Sequence, residues 1–170
     1  AVDSDDFVEA ITYNARGQRT EIQYGNGVTT VYSYEPETFR LSTQISTRAS
    51  DSKVLQELTY SYDPVGNITG IVNDAEATLY FANTAVTPDQ EFSYDALYRL
   101  VSATGREKTA RGRADWAEPG YGEVPSGSET MQRYTQSYSY DAAGNLTEMS
   151  HFVSGGSPHN WTRESDYESG

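Results

Sequence analysis

Tyr60-Ser61-Tyr62-Asp63-Pro64-Val65-Gly66-Asn67-Ile68-Thr69 is the stretch from which the fold is read. Asp63, Pro64 and Gly66 occupy the first, second and fourth places of a type I turn. There the Asp side chain bonds the backbone, Pro presets its φ, and Gly takes a left-handed bulge position. Tyr60 and Tyr62 are two apart and share a face of the entering strand. On the leaving strand Ile68 and Gly70 are expected to alternate with Thr69 and Ile71. The unit reads as strand, turn, strand.

The same pattern, aromatic-x-Tyr-acid-x-x-Gly-polar-apolar, occurs five times. The other copies are Ile11-Thr12-Tyr13-Asn14-Ala15-Arg16-Gly17-Gln18, Tyr32-Ser33-Tyr34-Glu35-Pro36, Phe92-Ser93-Tyr94-Asp95-Ala96-Leu97-Tyr98-Arg99-Leu100 and Tyr138-Ser139-Tyr140-Asp141-Ala142-Ala143-Gly144-Asn145-Leu146-Thr147. The steps from Tyr13 to Tyr34, Tyr62, Tyr94 and Tyr140 are 21, 28, 32 and 46 residues, so the period is degenerate and grows by loop insertion, as repeat arrays allow. The repeat residues are therefore Tyr13, Asn14, Gly17, Tyr34, Glu35, Tyr62, Asp63, Gly66, Tyr94, Asp95, Tyr140, Asp141 and Gly144. A second hairpin signal, Gly25-Asn26-Gly27, lies between Glu21-Ile22-Gln23-Tyr24 and Val28-Thr29-Thr30-Val31. No segment sustains a 3.6-residue period. The expected class is all-β: an antiparallel meander of hairpins, solenoid-like, with tyrosine pairs of neighbouring repeats stacked in an aromatic ladder.

The pattern divides the chain into a repeat strip over 1–104, a long loop or insert over 105–133, a further repeat over 134–154 and a tail over 155–170. The insert carries Gly112, Pro119, Gly120, Gly122, Pro125 and Gly127 without alternation. One core of 170 residues can bury roughly 70% of its unfolded surface, so independent folding is permitted. The hydrophobic fraction is 36% and the mean hydropathy is -0.69, yet 14 tyrosines supply apolar area with a wet end, which suits thin, half-dry sheets.

Twelve Lys and Arg against 25 Asp and Glu give a formal charge of -13, which repels nucleic acid and anionic membranes. No cysteine is present, which excludes disulfides, thiolate nucleophiles and Cys-ligated metals. Ala1-Val2-Asp3-Ser4-Asp5-Asp6 lacks the basic and apolar regions of a signal peptide, and no run of 18 apolar residues offers a membrane span. Because the chain starts and stops in mid-pattern, it is expected to be a piece of a longer product.

These residues resemble the RHS/YD-repeat family from about Tyr13 to Thr147. The runs Tyr24-Gly25-Asn26-Gly27, Glu35-Pro36-Glu37-Thr38-Phe39-Arg40-Leu41, Tyr62-Asp63-Pro64-Val65-Gly66-Asn67-Ile68, Tyr94-Asp95-Ala96-Leu97-Tyr98-Arg99-Leu100 and Ala103-Thr104-Gly105-Arg106-Glu107 look most like the B and C components of bacterial insecticidal Tc toxin complexes. The resemblance implies a secreted, non-catalytic sheet that spirals into a hollow shell. Its implied partners are neighbouring repeats of the same or a partner chain and an enclosed C-terminal toxin cargo. Tyr98 stands at the turn-glycine position of the fourth copy, and the second copy has one extra residue between Glu35 and Phe39, so both turns are expected to differ in geometry. The protease-like motif by which some family members release cargo has no counterpart placed on this chain.

Other chemistry is thinly supported. His151 and His159 stand eight apart in a Gly/Ser-rich region without metal-ligand spacing. The turn acids Asp63, Asp95 and Asp141 lack the density of a calcium loop and suit turn capping instead. Arg106, Lys108, Arg111 and Arg113 read as a solvated basic loop. Asn67-Ile68-Thr69, Asn145-Leu146-Thr147 and Asn160-Trp161-Thr162 match a glycosylation sequon that means nothing in a bacterial protein. No cofactor is expected. The rival to a shell segment is a secreted adhesion or carbohydrate-binding repeat whose tyrosines stack on sugars, and a carboxylate-dependent glycosidase comes third.

Overall fold

The computed structural model describes residues 6–81, 84–108, 131–153 and 160–167. Alternating β-branched, aromatic and hydroxyl residues become strands throughout, and no helix occurs among the described residues. Two compact units divide the chain, Ala1–Ala77 and Thr78–Gly170. The first holds β1 (Val8–Tyr13), β2 (Arg19–Tyr24), β3 (Val28–Tyr34), β4 (Leu41–Arg48), β5 (Lys53–Tyr62) and β6 (Ile68–Asn73), each pairing antiparallel with the next. In the second, β7 (Leu79–Phe81) and β8 (Thr84–Val86) form a small hairpin. Beside it lies a sheet of β9 (Gln90–Tyr94), β10 (Leu100–Lys108), β11 (Met131–Tyr140), β12 (Leu146–Val153) and β13 (Trp161–Glu164), again antiparallel in chain order. The sheets are open meanders, not closed barrels, and the all-β hairpin strip is the fold.

The five Tyr-acid turns join β1 to β2, β3 to β4, β5 to β6, β9 to β10 and β11 to β12. In the first unit the Gly25–Gly27 and Ala49–Ser52 turns close the opposite ends, so every Tyr-acid turn there lies along one margin. Cross-strand pairing sorts the side chains. One face carries the rows Ile22, Thr30, Ser46, Gln56 and Tyr32, Gln44, Leu58, Asn73. The other carries Glu21, Val31, Ile45, Glu57 and Ser33, Thr43, Thr59, Val72. The tyrosine face is the drier one: Ile22 and Thr30 are buried and Tyr32, Tyr60 and Tyr62 half-buried, while Val31, Ser33 and Ser61 opposite are exposed.

A single layer cannot hold a sandwich core, which is why a chain of 36% hydrophobic residues suffices. Polar pairs fill the face instead, with Thr30 Oγ1 2.8 Å from Ser46 Oγ and Gln44 Nε2 donating to Gln56 Oε1 at 2.9 Å. The driest apolar side chains lie in the second unit. Val153 is fully buried at the end of β12, and Val86 is sealed where the β7–β8 hairpin rests on β11. Arg133 of β11 fastens that hairpin by donating to Thr87 Oγ1.

Three expectations change. A β-bulge between Ser61 and Tyr62 shifts the register, so Ile68 faces Tyr62 and Ile71 faces Tyr60, while Gly70 pairs with Ser61 on the other face. The bulge thus puts both isoleucines on the tyrosine side, where simple alternation placed only one.

The Tyr98 turn, expected to differ, has the geometry of the glycine turns. Tyr98 N–H donates to Asp95 O at 3.0 Å, as Gly66 does to Asp63 O at 3.1 Å, and Tyr98 holds φ 63°. The tyrosine simply accepts the left-handed conformation, at a cost of about 1–2 kcal/mol. The Glu35 turn does differ: Phe39 N–H reaches back four residues to Glu35 O, yet Phe39 ends the turn at φ 59°. Because Tyr98 is 60% exposed, Tyr98→Gly is expected to leave the melting temperature unchanged or raise it slightly. A clear fall on thermal melting would show that the ring itself is needed.

Thirdly, Gly105–Lys108 and Met131–Arg133 are strand, so β10 and β11 reach into both ends of the stretch 105–133. Arg106 and Lys108 accordingly sit on a sheet, with Arg106 directly opposite Arg133, and not in a solvated loop. Strand pairing across seven consecutive positions, Ser102 to Lys108, outweighs the local glycine and charge signals. Arg111, Arg113 and the rest of 109–130 lie outside the described residues, as do His159 and half of the tail. Within the tail, β13 pairs with β12.

Candidate functional site

The repeat residues build their turns through one carboxylate or amide each. Asp63 Oδ1 accepts the N–H groups of Gly66 and Asn67 at 2.7 and 2.8 Å, and its Oδ2 accepts Asn67 Nδ2 at 2.7 Å. Asp141 repeats this with Asn145 at 2.8 Å for both bonds. Asp95 Oδ1 accepts from Leu97 and Arg99 N–H, and its Oδ2 pairs with Arg99 Nε at 2.7 Å. Asn14 holds Arg16 and Gln18 in the same way without a charge. Glu35, on the longer turn, is too far out to cap the backbone identically and accepts the Thr38 hydroxyl at 2.6 Å.

These bonds favour the ionised acids. For Asp63 burial pushes the carboxyl upward, but the Asn67 amide and the turn N–H groups outweigh it and hold it below its ordinary value. The Asn145 side chain does so for Asp141, and the Arg99 backbone and guanidinium for Asp95. Asp51, in the Ala49–Ser52 turn, is lowered to about 2 chiefly by its hydrogen bond from Arg48. The folded-state values lie below the unfolded value of 3.8, so the contribution is fully present above that pH and is lost as the pH falls through the folded values. Acid unfolding followed by circular dichroism should therefore begin below about pH 4. Asp63→Asn and Asp141→Asn should flatten the acid limb, and an unchanged limb would remove the carboxylates from the account.

A second set of contacts joins three pairs of neighbouring turns. Tyr34 donates its hydroxyl to Arg19 O, Tyr62 to Leu41 O and Tyr140 to Leu100 O, all at 2.8 Å. In return, the residue that follows the left-handed position reaches forward. Gln18 Nε2 donates to Phe39 O at 2.7 Å, Arg40 donates to Asp63 O and Pro64 O at 2.9 and 3.1 Å, and Arg99 donates to Asp141 O at 3.2 Å. The guanidinium of Arg40 lies 5.5 Å from the Tyr62 ring centre, and that of Arg99 4.7 Å from Tyr140. Burial raises the Tyr62 phenol, so it remains a neutral donor.

A tyrosine hydroxyl reaching back and an arginine or the Gln18 amide reaching forward form a two-point clasp between neighbouring hairpins. It stands where the sequence suggested a ladder of stacked tyrosines. Arg40 and Arg99 were not foreseen, although the shared run aromatic-Arg-Leu at Phe39–Leu41 and Tyr98–Leu100 was the available signal.

A third cluster is centred on His151. It is buried, its ring parallel to Trp161 at 5.4 Å between centres and tilted against Tyr134 at 4.9 Å. Its Nε2 lies 3.3 Å from Glu107 Oε1, which also accepts Gln132 Nε2 at 2.9 Å, while Nδ1 faces Gln136. Gly105 explains how the row fits: a Cβ there would stand 2.6 Å from the Tyr134 hydroxyl and 2.7 Å from its ring. The sequence run Ala103–Glu107 thus supplies both the space for Tyr134 and the carboxylate beside His151. Among the described residues no group of three or more His, Asp or Glu side chains is placed to hold a metal ion.

Hairpins of this kind, capped by Tyr-acid turns and clasped in series, define a YD-repeat strip. The chain belongs to the RHS/YD-repeat family and is similar to stretches of the subunits of Tc toxin complexes. It is 44% identical over 151 residues to the toxin subunit YenC2 of Yersinia entomophaga and 42% identical over 149 residues to YenC1 of the same organism. Each match covers 85% of this chain, which spans only 16% and 15% of those relatives' lengths. The crystal structure of TcdB2-TccC3 superposes with a TM-score of 0.77 at 45% identity, covering 93% of this chain and 8% of that one. The Photorhabdus luminescens Tc holotoxin pore gives 0.78 at 44%, covering 94% and 7%. No family model matches the chain.

Proposed function

We propose that this chain is a non-catalytic stretch of the wall of a secreted bacterial shell that encloses a toxin. Its lateral partners are neighbouring RHS repeats of the same or a partner chain, and the enclosed partner is the C-terminal toxic part of the polypeptide. The clasp carries the reading, because at three junctions it fixes a hairpin to its neighbour by backbone carbonyls, independently of the loops between them, and so can be propagated along a long strip. The strip comprises 1–104 and 134–154, extended at both ends of the stretch 105–133 by Gly105–Lys108 and Met131–Arg133, with 155–170 as a tail. Neither nucleic acid nor membrane suits a segment of charge -13. The sugar-binding alternative loses ground because the hydroxyls of Tyr34, Tyr62 and Tyr140 already serve backbone carbonyls, and arginines cover two of these rings.

Among the described residues β1 and β13 each pair on one side only, so the isolated chain presents strand edges that template further pairing. Repulsion between copies of charge -13 extends over about 10 Å at 0.1 M salt and farther at lower salt. Sedimentation across a salt series should therefore show monomers or dimers at low salt and larger assemblies at high salt. A strict monomer at high salt and high concentration would mean closed edges and favour a self-contained binding module.

A further inference from the structure

The clasp has two kinds of turn. Phe39-Arg40-Leu41 and Tyr98-Arg99-Leu100 carry an arm that reaches forward, whereas Gly66-Asn67-Ile68 and Gly144-Asn145-Leu146 end in Asn, whose side chain folds back onto the acid of its own turn. Both arginine arms dock on Asn-closed turns, Arg40 on the Asp63 turn and Arg99 on the Asp141 turn, whereas the shorter Gln18 amide docks on the Glu35 turn. Each Asn-closed receiver also returns a tyrosine hydroxyl to the carbonyl of the leucine that follows the arm.

The Asn14–Gln18 turn has the form of a receiver. Its left-handed residue is glycine, its Asn14 holds the turn as Asp63 does, and Tyr13 precedes it as Tyr62 and Tyr140 precede theirs. Yet Tyr13 is 60% exposed where Tyr62 and Tyr140 are half-buried, and among the described residues its hydroxyl has no partner. The adjoining edge of β1 is exposed along all six residues.

We propose that Tyr13, the carbonyls of Asn14 and Ala15, and the edge of β1 left unpaired among the described residues form the receiving half of a clasp. Its occupant is a YD hairpin whose turn ends in aromatic-Arg-Leu. That hairpin adds its leaving strand to β1, lays its guanidinium over the Tyr13 ring onto the two carbonyls, and accepts the Tyr13 hydroxyl on its leucine carbonyl. The surface thus selects for the arm residue and not merely for a strand. The proposal rests on the wall reading and deepens it by naming the chemistry of the neighbour. Continuity with the two filled clasps supports it, together with relatives about six times as long as this chain.

The test uses the whole chain, labelled with nitrogen-15, and a backbone-cyclised hairpin of residues Glu91–Ala103 as the probe. A control hairpin carries Arg99→Asn, which can still close its own turn as Asn67 closes that of Asp63. Amide shifts on titration should be confined to β1 and the Asn14–Gln18 turn. Affinity should fall about tenfold with the Asn control, the loss expected for charge-assisted bonds. Tyr13→Phe, which touches no described internal partner, should weaken the armed probe several-fold and the control little. Equal binding of both hairpins at β1 would overturn arm selection while leaving a wall strip intact. Shifts elsewhere would overturn the location. No binding of either hairpin at any edge at millimolar concentration would overturn the proposal and count against the wall reading as well.

Discussion

Replacing Gly66 by Val is expected to destabilise the chain by about 2–3 kcal/mol. Gly66 holds φ +110°, a conformation that a β-branched residue resists. A Cβ there would also stand 3.1–3.4 Å from the guanidinium of Arg40, the arm that clasps the Asp63 turn. The substitution therefore strains the turn and loosens its junction with the preceding hairpin. Ala143→Val, at an exposed place in the last turn, should change stability by less than about 0.5 kcal/mol. Urea unfolding of both variants decides this. Equal midpoints for Gly66→Val and the parent would refute both the left-handed turn and the packed arm.

The other large effect is expected at His151. Removing its ring with His151→Ala should cost about 3 kcal/mol, because a buried aromatic contact leaves a gap between Tyr134 and Trp161. Glu107 loses a partner at the same time. His151→Phe keeps the stack and should recover part of the loss. The effect should centre on β12 and β13, so hydrogen exchange of Trp161–Glu164 should accelerate most. Unchanged exchange in the Ala variant would show that β13 is held by its backbone alone.

The turn chemistry was legible from residue types, since Asp, Pro, Gly and Asn at fixed offsets have few other uses. That reading found the five hairpins and the antiparallel order. What stayed hidden has physical causes. A bulge changes which residues share a face without changing their identity, so Ile71 was assigned to the wrong side. Tyr98 violates the preference for glycine because the hydrogen bonds around Asp95 impose the conformation on it.

The clasp escaped because its acceptors are backbone carbonyls, which leave no trace in a sequence. Only its donors, Gln18, Arg40 and Arg99, could be seen, and a single amide or cation after a turn looks like ordinary polar surface. His151 was likewise invisible as a core residue. Glu107 and Gln136 reach it across paired strands, at separations that only the register reveals.

The central claim is that these hairpins are wall. Electron cryomicroscopy of the full-length polypeptide that contains this chain tests it most directly. The account predicts that β1–β6 and β9–β13 are strands of the shell wall, clasped turn to turn with flanking repeats, around a closed lumen that holds density for the C-terminal toxin. A map in which these residues stand outside the shell as a separate module, with both sheet edges free, would contradict it.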